Sequence, residues 1–268
     1  DRMLSRVKEE TEKLLDMLTL EIGFSPREIE LVFSGGRGYH VHVHDLAVRN
    51  WGSSERRELI DYVCGIGLDP GRVLSHRTPS PRGWHRRYIA ALAEYLLWLE
   101  SLGEKERLAA IAGLEGVGKT TAEEFSRRLR EVISLVTSDP SSLNLKDAVL
   151  AKVIRGLSAQ KEGEFAAMLR KRAALADEPV TTDTKRLIRL PSSLHGGSGF
   201  RVTPLAPADL GDFDPLVDAV VFGERDVKVD LAFPLSMPLL GTTFRLEKGV
   251  SAVPEALAVF LCCRGAAE

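Results

Sequence analysis

Apolar positions at Leu4, Val7, Leu14, Leu15 and Leu18, with Thr11 among them, recur every three or four residues, so the chain opens on an amphipathic helix. The period then shortens: Glu28-Ile29-Glu30-Leu31-Val32-Phe33 reads as a strand. Gly35-Gly36-Arg37-Gly38 predicts a turn into a second strand over 39–44, and with it a β-hairpin. Over 54–172 the helical period dominates, with helices expected over 88–102, 104–112, 120–136 and 145–154 and turn residues between them. Strand character returns over 199–203, 226–233 and 242–246, and Pro254 at a first helical position starts a closing helix that runs through Cys263. The order is β-rich, helical, β-rich. The economical topology places residues 1–53 and 173–268 in one α/β (α+β) domain with a β-sheet core and inserts 54–172 as a helical subdomain.

Composition adds limits. Across 268 residues, 44% apolar and 28% charged positions describe an ordinary globular chain and exclude disorder. No window approaches the ~18 to 20 consecutive apolar residues of a membrane span, and no basic start leads into a short apolar run, so a cytoplasmic protein without membrane contact is expected. Cys64, Cys262 and Cys263 lack paired C-x-x-C spacing, which fits a reducing compartment and implies no structural metal here. A formal charge of -2 means that any nucleic-acid contact must come from local basic patches. The chain opens Asp1-Arg2 and enters a helix at once, and the expectation is that it is a piece of something longer.

Candidate chemistry concentrates in two stretches. In Ser34-Gly35-Gly36-Arg37-Gly38-Tyr39-His40, glycines let the backbone approach an anion while Ser34, Arg37 and His40 supply converging donors, which suits phosphate; the plainer alternative is a glycine hairpin with a solvent-facing arginine. His40, His42 and His44 alternate along one strand face, an arrangement open to a metal, but the preferred reading aims His40 alone at the site and leaves the other two packing along the strand. The second stretch runs from Asp177-Glu178-Pro179-Val180-Thr181 to Lys185-Arg186-Leu187-Ile188-Arg189-Leu190-Pro191-Ser192-Ser193-Leu194-His195. A carboxylate for a divalent ion, followed by arginine and histidine for polyphosphate, is the residue set of a phosphoryl-transfer site. Alternatively, Asp177 and Glu178 complement a helix dipole and the basic residues lie on a solvated face.

Together the two motifs resemble the second and third signature regions of archaeal and eukaryotic DNA primase small (catalytic) subunits, and the β, helical, β order extends that resemblance over most of the chain. It implies the primase catalytic (prim) fold with a mixed sheet and a helical insertion. It further implies DNA-directed nucleotidyl transfer that makes short primers on single-stranded DNA, using Mg or Mn and nucleoside triphosphates. By the same resemblance Asp177 is the third metal-binding carboxylate and a catalytic residue, Ser34, Arg37, His40, Arg189 and His195 line the triphosphate pocket, with Arg186 a further member, and a primase large subunit is the partner. The sequence departs from the family pattern upstream: a strand-borne Asp-x-Asp pair and a zinc cluster should precede the glycine turn, and only a helix does. An N-terminal part outside this sequence, rather than lost catalysis, is the expected explanation, with structural zinc confined to that part.

Two further signals compete. Gly113-Leu114-Glu115-Gly116-Val117-Gly118-Lys119-Thr120 matches G-x-x-x-x-G-K-[ST], but a P-loop must follow a buried strand and 105–112 reads as a helix; a helix-hairpin-helix over 108–125, or a plain turn between helices, fits better. Residues 71–87 gather basic side chains around Trp84 and Tyr88, so Arg77, Arg82, Arg86, Arg87 and, from the hairpin, Lys119 are candidate template contacts, with aromatic stacking expected beside them; a solvated basic loop is the alternative. The remaining functional alternatives are a non-catalytic nucleic-acid-binding or assembly module, indifferent to Asp177, and a P-loop ATPase, dependent on Lys119.

Overall fold

The computed structural model describes residues 2–75, 82–138, 143 and 146–268. In chain order the elements are α1 (Arg2–Asp16), β1 (Ile29–Phe33), β2 (Tyr39–Val43), α2 (Ser53–Cys64), α3 (Pro70–Ser75), α4 (Gly83–Ser101), α5 (Glu104–Ala112), α6 (Lys119–Ser138), α7 (Ala148–Ala159), α8 (Glu164–Arg170) and α9 (Glu178–Thr182). There follow β3 (Thr203–Leu205), α10 (Pro215–Asp218), β4 (Asp226–Leu231), β5 (Leu235–Leu239), β6 (Thr242–Leu246), β7 (Gly249–Pro254) and α11 (Glu255–Cys263). Helix and antiparallel strand segregate along the chain, the α+β form of the expected class. The chain divides into two compact units, Asp1–Arg56 with Asp177–Glu268, and Arg57–Ala176.

In the first unit β1 is the middle strand of a β2-β1-β3 sheet, with Phe33 opposite Tyr39 on one side and Thr203 on the other. The strand is paired along both edges, and Leu31, Val32 and Phe33 are each fully buried. Phe33 shares a core with Phe200, Phe213, Val229, Leu231, Leu257 and Leu261, which draws in β4 and the closing helix α11. β4 pairs with β7 and β5 with β6, both antiparallel. The helical turn that extends α1 stops at Gly23, whose φ of 95° is left-handed and whose N–H donates to the Leu18 carbonyl.

Several expected elements shift, for local reasons. The strand expected over 199–203 reduces to Thr203–Leu205, because Gly199 turns left-handed at φ 70° and the residues around it close a loop. Pro254 ends β7 and precedes the helix, which begins at Glu255. β5 and β7 carried no readable strand pattern: Pro238 lies inside one, and Gly249, Ser251 and Ala252 thin the apolar signal of the other.

The second unit is helical. Tyr88, Leu92, Tyr95, Leu96 and Leu99 of α4 pack with Ile111 of α5, Phe125 and Leu129 of α6, Val153, Ile154 and Leu157 of α7 and Phe165 of α8. The Tyr88 hydroxyl meets the Ser158 hydroxyl at 2.9 Å, satisfying both polar ends within the core. α7 starts three residues later than its periodicity suggests because Asp147 caps it, its carboxylate accepting from the Val149 and Leu150 amides at 3.0 and 3.1 Å.

Candidate functional site

Where β1 delivers Phe33 into the core, the chain must reverse. The Ser34 amide donates to the Gly38 carbonyl at 2.8 Å, and the Ser34 hydroxyl accepts from the amides of Gly36 and Gly38 at 3.4 and 3.2 Å. Ser34 is buried and shapes the loop, with one hydroxyl proton still to give. Arg37 stands exposed at the tip. Strand alternation then separates Tyr39 from His40. Tyr39 packs on Phe33 with ring centroids 5.5 Å apart, its hydroxyl pushed up to about 12 by burial and by the charge of Asp214. His40 is half-buried, and its Nδ1 is buried without a hydrogen-bond partner. His42 and His44 stack along the strand with centroids 6.3 Å apart, and His44 Nε2 lies 3.2 Å from Glu30.

The second motif forms a tight loop. The His195 amide donates to the Phe200 carbonyl, and the Gly199 amide to the His195 carbonyl, each at 2.8 Å. Phe200, buried in the same core as Phe33, anchors it. The two loops interlock, although 163 positions separate Ser198 from Gly35, whose carbonyl the serine hydroxyl reaches at 2.5 Å. A Cβ built on Gly35 would lie 2.6 Å from the Cβ of His195, and one on Gly36 would lie 3.0 Å from its Nε2. No side chain can stand between the glycine turn and the imidazole.

Arg189, exposed on the strand of chain leading to His195, acts electrostatically on both imidazoles. Burial first, then His42 and Arg189, holds His40 below the ordinary histidine value. Burial first, then Arg189, with Arg264 contributing, does the same to His195. Two neutral imidazoles and a guanidinium beside a glycine turn form a setting that gains from an anion. Arg186 is exposed three residues upstream.

Asp177 is exposed at the N-cap of α9, its carboxylate accepting from the Val180 amide at 3.4 Å. Among the described residues no three His, Cys, Asp or Glu side chains gather as metal ligands. No helix among the described residues is long and apolar enough to cross a membrane.

In the helical unit one expectation holds and another needs correction. Gly113 follows helix α5, not a strand, and the residues up to Gly118 turn directly into α6, so the amides are not arranged as a P-loop. Leu114 and Val117 are buried, and Gly156 of α7 packs so tightly that its Cβ would lie 2.7 Å from the Glu115 carbonyl. The glycine turn is a helix-helix joint, with Lys119 90% exposed and 4.0 Å from Glu123. Trp84 and Tyr88 are core residues, 7% and 1% exposed, and cannot stack on a template as expected. Of the basic residues, Arg82 and Arg86 are exposed, Arg87 donates to the Arg172 carbonyl at 2.8 Å, and Arg77 lies outside the described residues.

The sequence model of the DNA primase small subunit family matches residues 1–207. This chain belongs to the DNA primase small subunit family. The DNA primase small subunit PriS of Methanoregula boonei is 58% identical over 268 residues, spanning 100% of this chain and 70% of that protein. Those of Methanosphaerula palustris and Methanospirillum hungatei are each 50% identical, spanning 99% and 100% of this chain and 69% of each relative. As a primase small subunit, the chain joins its two signature loops at one place, and that junction holds residues which motif reading alone passed over. Gly197 and Ser198 lie two and three positions after His195, and the sequence signal for them is the density of glycine in His195-Gly196-Gly197-Ser198-Gly199.

Proposed function

We propose that this protein is the catalytic subunit of a primase that lays short primers on single-stranded DNA, with the junction of the two loops holding the triphosphate of the incoming nucleotide. The observation that carries this reading is the junction of the two motifs, where the Ser198 hydroxyl reaches the Gly35 carbonyl at 2.5 Å and a Cβ on Gly36 would lie 3.0 Å from Nε2 of His195. In the reaction a 3′-hydroxyl oxygen bonds to the α-phosphorus, the bond from that phosphorus to the bridging oxygen breaks, the hydroxyl proton is lost and pyrophosphate leaves. The contribution of Arg37, Arg189, His40 and His195 is to neutralise and orient the β- and γ-phosphates so that attack is in line. Ser34 contributes the shape of the turn and one proton, and Arg186 a more distant charge.

Chemistry of this class draws on a divalent ion, Mg or Mn. Asp177 is the carboxylate of this sequence we assign to it. For the template, exposed Arg82, Arg86 and Lys119 are suited to phosphate contact, while Arg87 is engaged within its own unit. A large subunit is the expected partner, and the archaeal sources of the relatives favour a role in cytoplasmic replication.

The test is incorporation of labelled nucleotides on unprimed single-stranded DNA by the protein assembled with its large subunit, comparing wild type with Arg189→Ala and His195→Gln. Weaker nucleotide use by both variants supports the reading. Equal KM values for all three proteins refute the triphosphate assignment.

A further inference from the structure

Ser198 is 5% exposed and sits where the two loops meet. Its hydroxyl oxygen lies 2.5 Å from the Gly35 carbonyl, 3.2 Å from the Phe200 amide and 3.2 Å from Nδ1 of His195. A carbonyl has no proton to give, so the serine donates its single hydrogen to Gly35. Its lone pairs face the Phe200 N–H and the imidazole. The Gly197 amide, meanwhile, points at His195 Nδ1 from 3.1 Å. An amide N–H needs a lone pair opposite it, so Nδ1 carries no hydrogen and the imidazole proton resides on Nε2. That nitrogen is the ring atom nearest the position a Gly36 Cβ would take, on the side of the glycine turn.

We infer that Ser198 is a positioning residue for nucleotide binding: it clamps the glycine turn to the His195 loop, whose Gly197 amide keeps the imidazole in the Nε2–H form, donor toward the triphosphate. The physical reason is accounting of donors and acceptors in a buried place. With the serine proton given to Gly35 and Nδ1 accepting from the Gly197 amide, each of these donors at the junction has an acceptor. Removing the hydroxyl leaves the Gly35 carbonyl and the Phe200 amide without the serine as partner and unpins the two loops. The functional half of this inference rests on the proposed triphosphate pocket; the tautomer half does not.

The experiment separates the two. In protein carrying 15N-labelled histidine, long-range 1H–15N correlations of His195 at pH 8 report its tautomer directly, and the expected result for wild type is the Nε2–H form. Ser198→Ala and Ser198→Thr both keep that tautomer, because the Gly197 amide that sets it is untouched. With the assembled primase, Ser198→Ala raises KM for the nucleotide by about tenfold with kcat nearly unchanged, the size of effect that loss of one net hydrogen bond produces, and Ser198→Thr restores KM. An Nδ1–H form in wild type, or an unchanged KM in folded Ser198→Ala, overturns the inference. If Ser198→Ala lowers thermal stability but His195→Gln leaves KM untouched, the pocket assignment fails and the clamp stands.

Discussion

His195 presses against Gly36 so closely that a Cβ on the glycine would stand 3.0 Å from its Nε2. Contact at that distance forces the ring to yield by a few tenths of an ångström, and the ring is already held on its other edge by Gly197 and Ser198. Gly36→Ala should therefore raise KM for the nucleotide by about tenfold, an effect of ~1.4 kcal/mol, with little change in thermal stability. Gly35→Ala should behave differently. Its φ of 73° is left-handed and its Cβ would lie 2.6 Å from that of His195, so a loss of about 1–3 kcal/mol in folding stability is expected, read by urea unfolding.

Asp177 can be asked which of its two duties matters. It caps α9 through the Val180 amide, and asparagine caps nearly as well as aspartate while supplying no negative charge. Asp177→Asn should keep the melting temperature within error and abolish nucleotide incorporation. Asp177→Ala should lose activity and some stability together, by about 0.5–2 kcal/mol at most, since the cap is exposed. Activity retained by the asparagine variant would reduce Asp177 to a helix cap.

Both His40 and His195 have proton affinities lowered from the ordinary 6.5, chiefly by burial. Below 6.5 the unfolded chain then binds protons that the folded one refuses, so stability falls as pH drops from 6.5 toward the folded-state values and is insensitive to these groups above it. A bound triphosphate acts in the opposite direction, because its charge favours the imidazolium, so nucleotide affinity should strengthen over the same interval. Unfolding curves and ATP titrations at pH 7.5 and 5.5, repeated on a His40→Gln, His195→Gln double variant, isolate the contribution; a double variant with the wild-type pH response would contradict it.

Lys119→Ala should leave nucleotide incorporation at saturating DNA unchanged. The glycine turn before Lys119 joins two helices and the ammonium is exposed beside Glu123, neither of which a nucleotidase requires. What should change is DNA affinity, modestly, with a shallower dependence on salt by about one phosphate contact. ATP hydrolysis lost with Lys119 would restore the P-loop reading.

Tyr88 tests the helical core. Tyr88→Phe removes the hydroxyl that meets Ser158 in a 1% exposed site, with an expected cost of about 0.5–1.5 kcal/mol, and DNA affinity should be unaffected because the ring is not on the surface. A loss of DNA binding without a loss of stability would return Tyr88 to the template.

The sequence by itself determined what depends on neighbours along the chain. Apolar period and turn residues located α5 and β6 at the bounds the structure has, because a repeating apolar face and an adjacent breaker are local properties. The two signature motifs, read as residue strings, were enough to state the family, and the helix ahead of Gly113 was enough to doubt a P-loop. Pairing was another matter. The strand content of Leu235–Leu239 and Gly249–Pro254 comes from antiparallel partners, not from their own composition, and the burial of Trp84 and Tyr88 follows from which face of α4 meets α7 and α8. Nor could the sequence place Ser198 beneath Gly35 and His195. A hydroxyl's partners are fixed by where the core holds Phe33 and Phe200, and that is a property of the folded core alone.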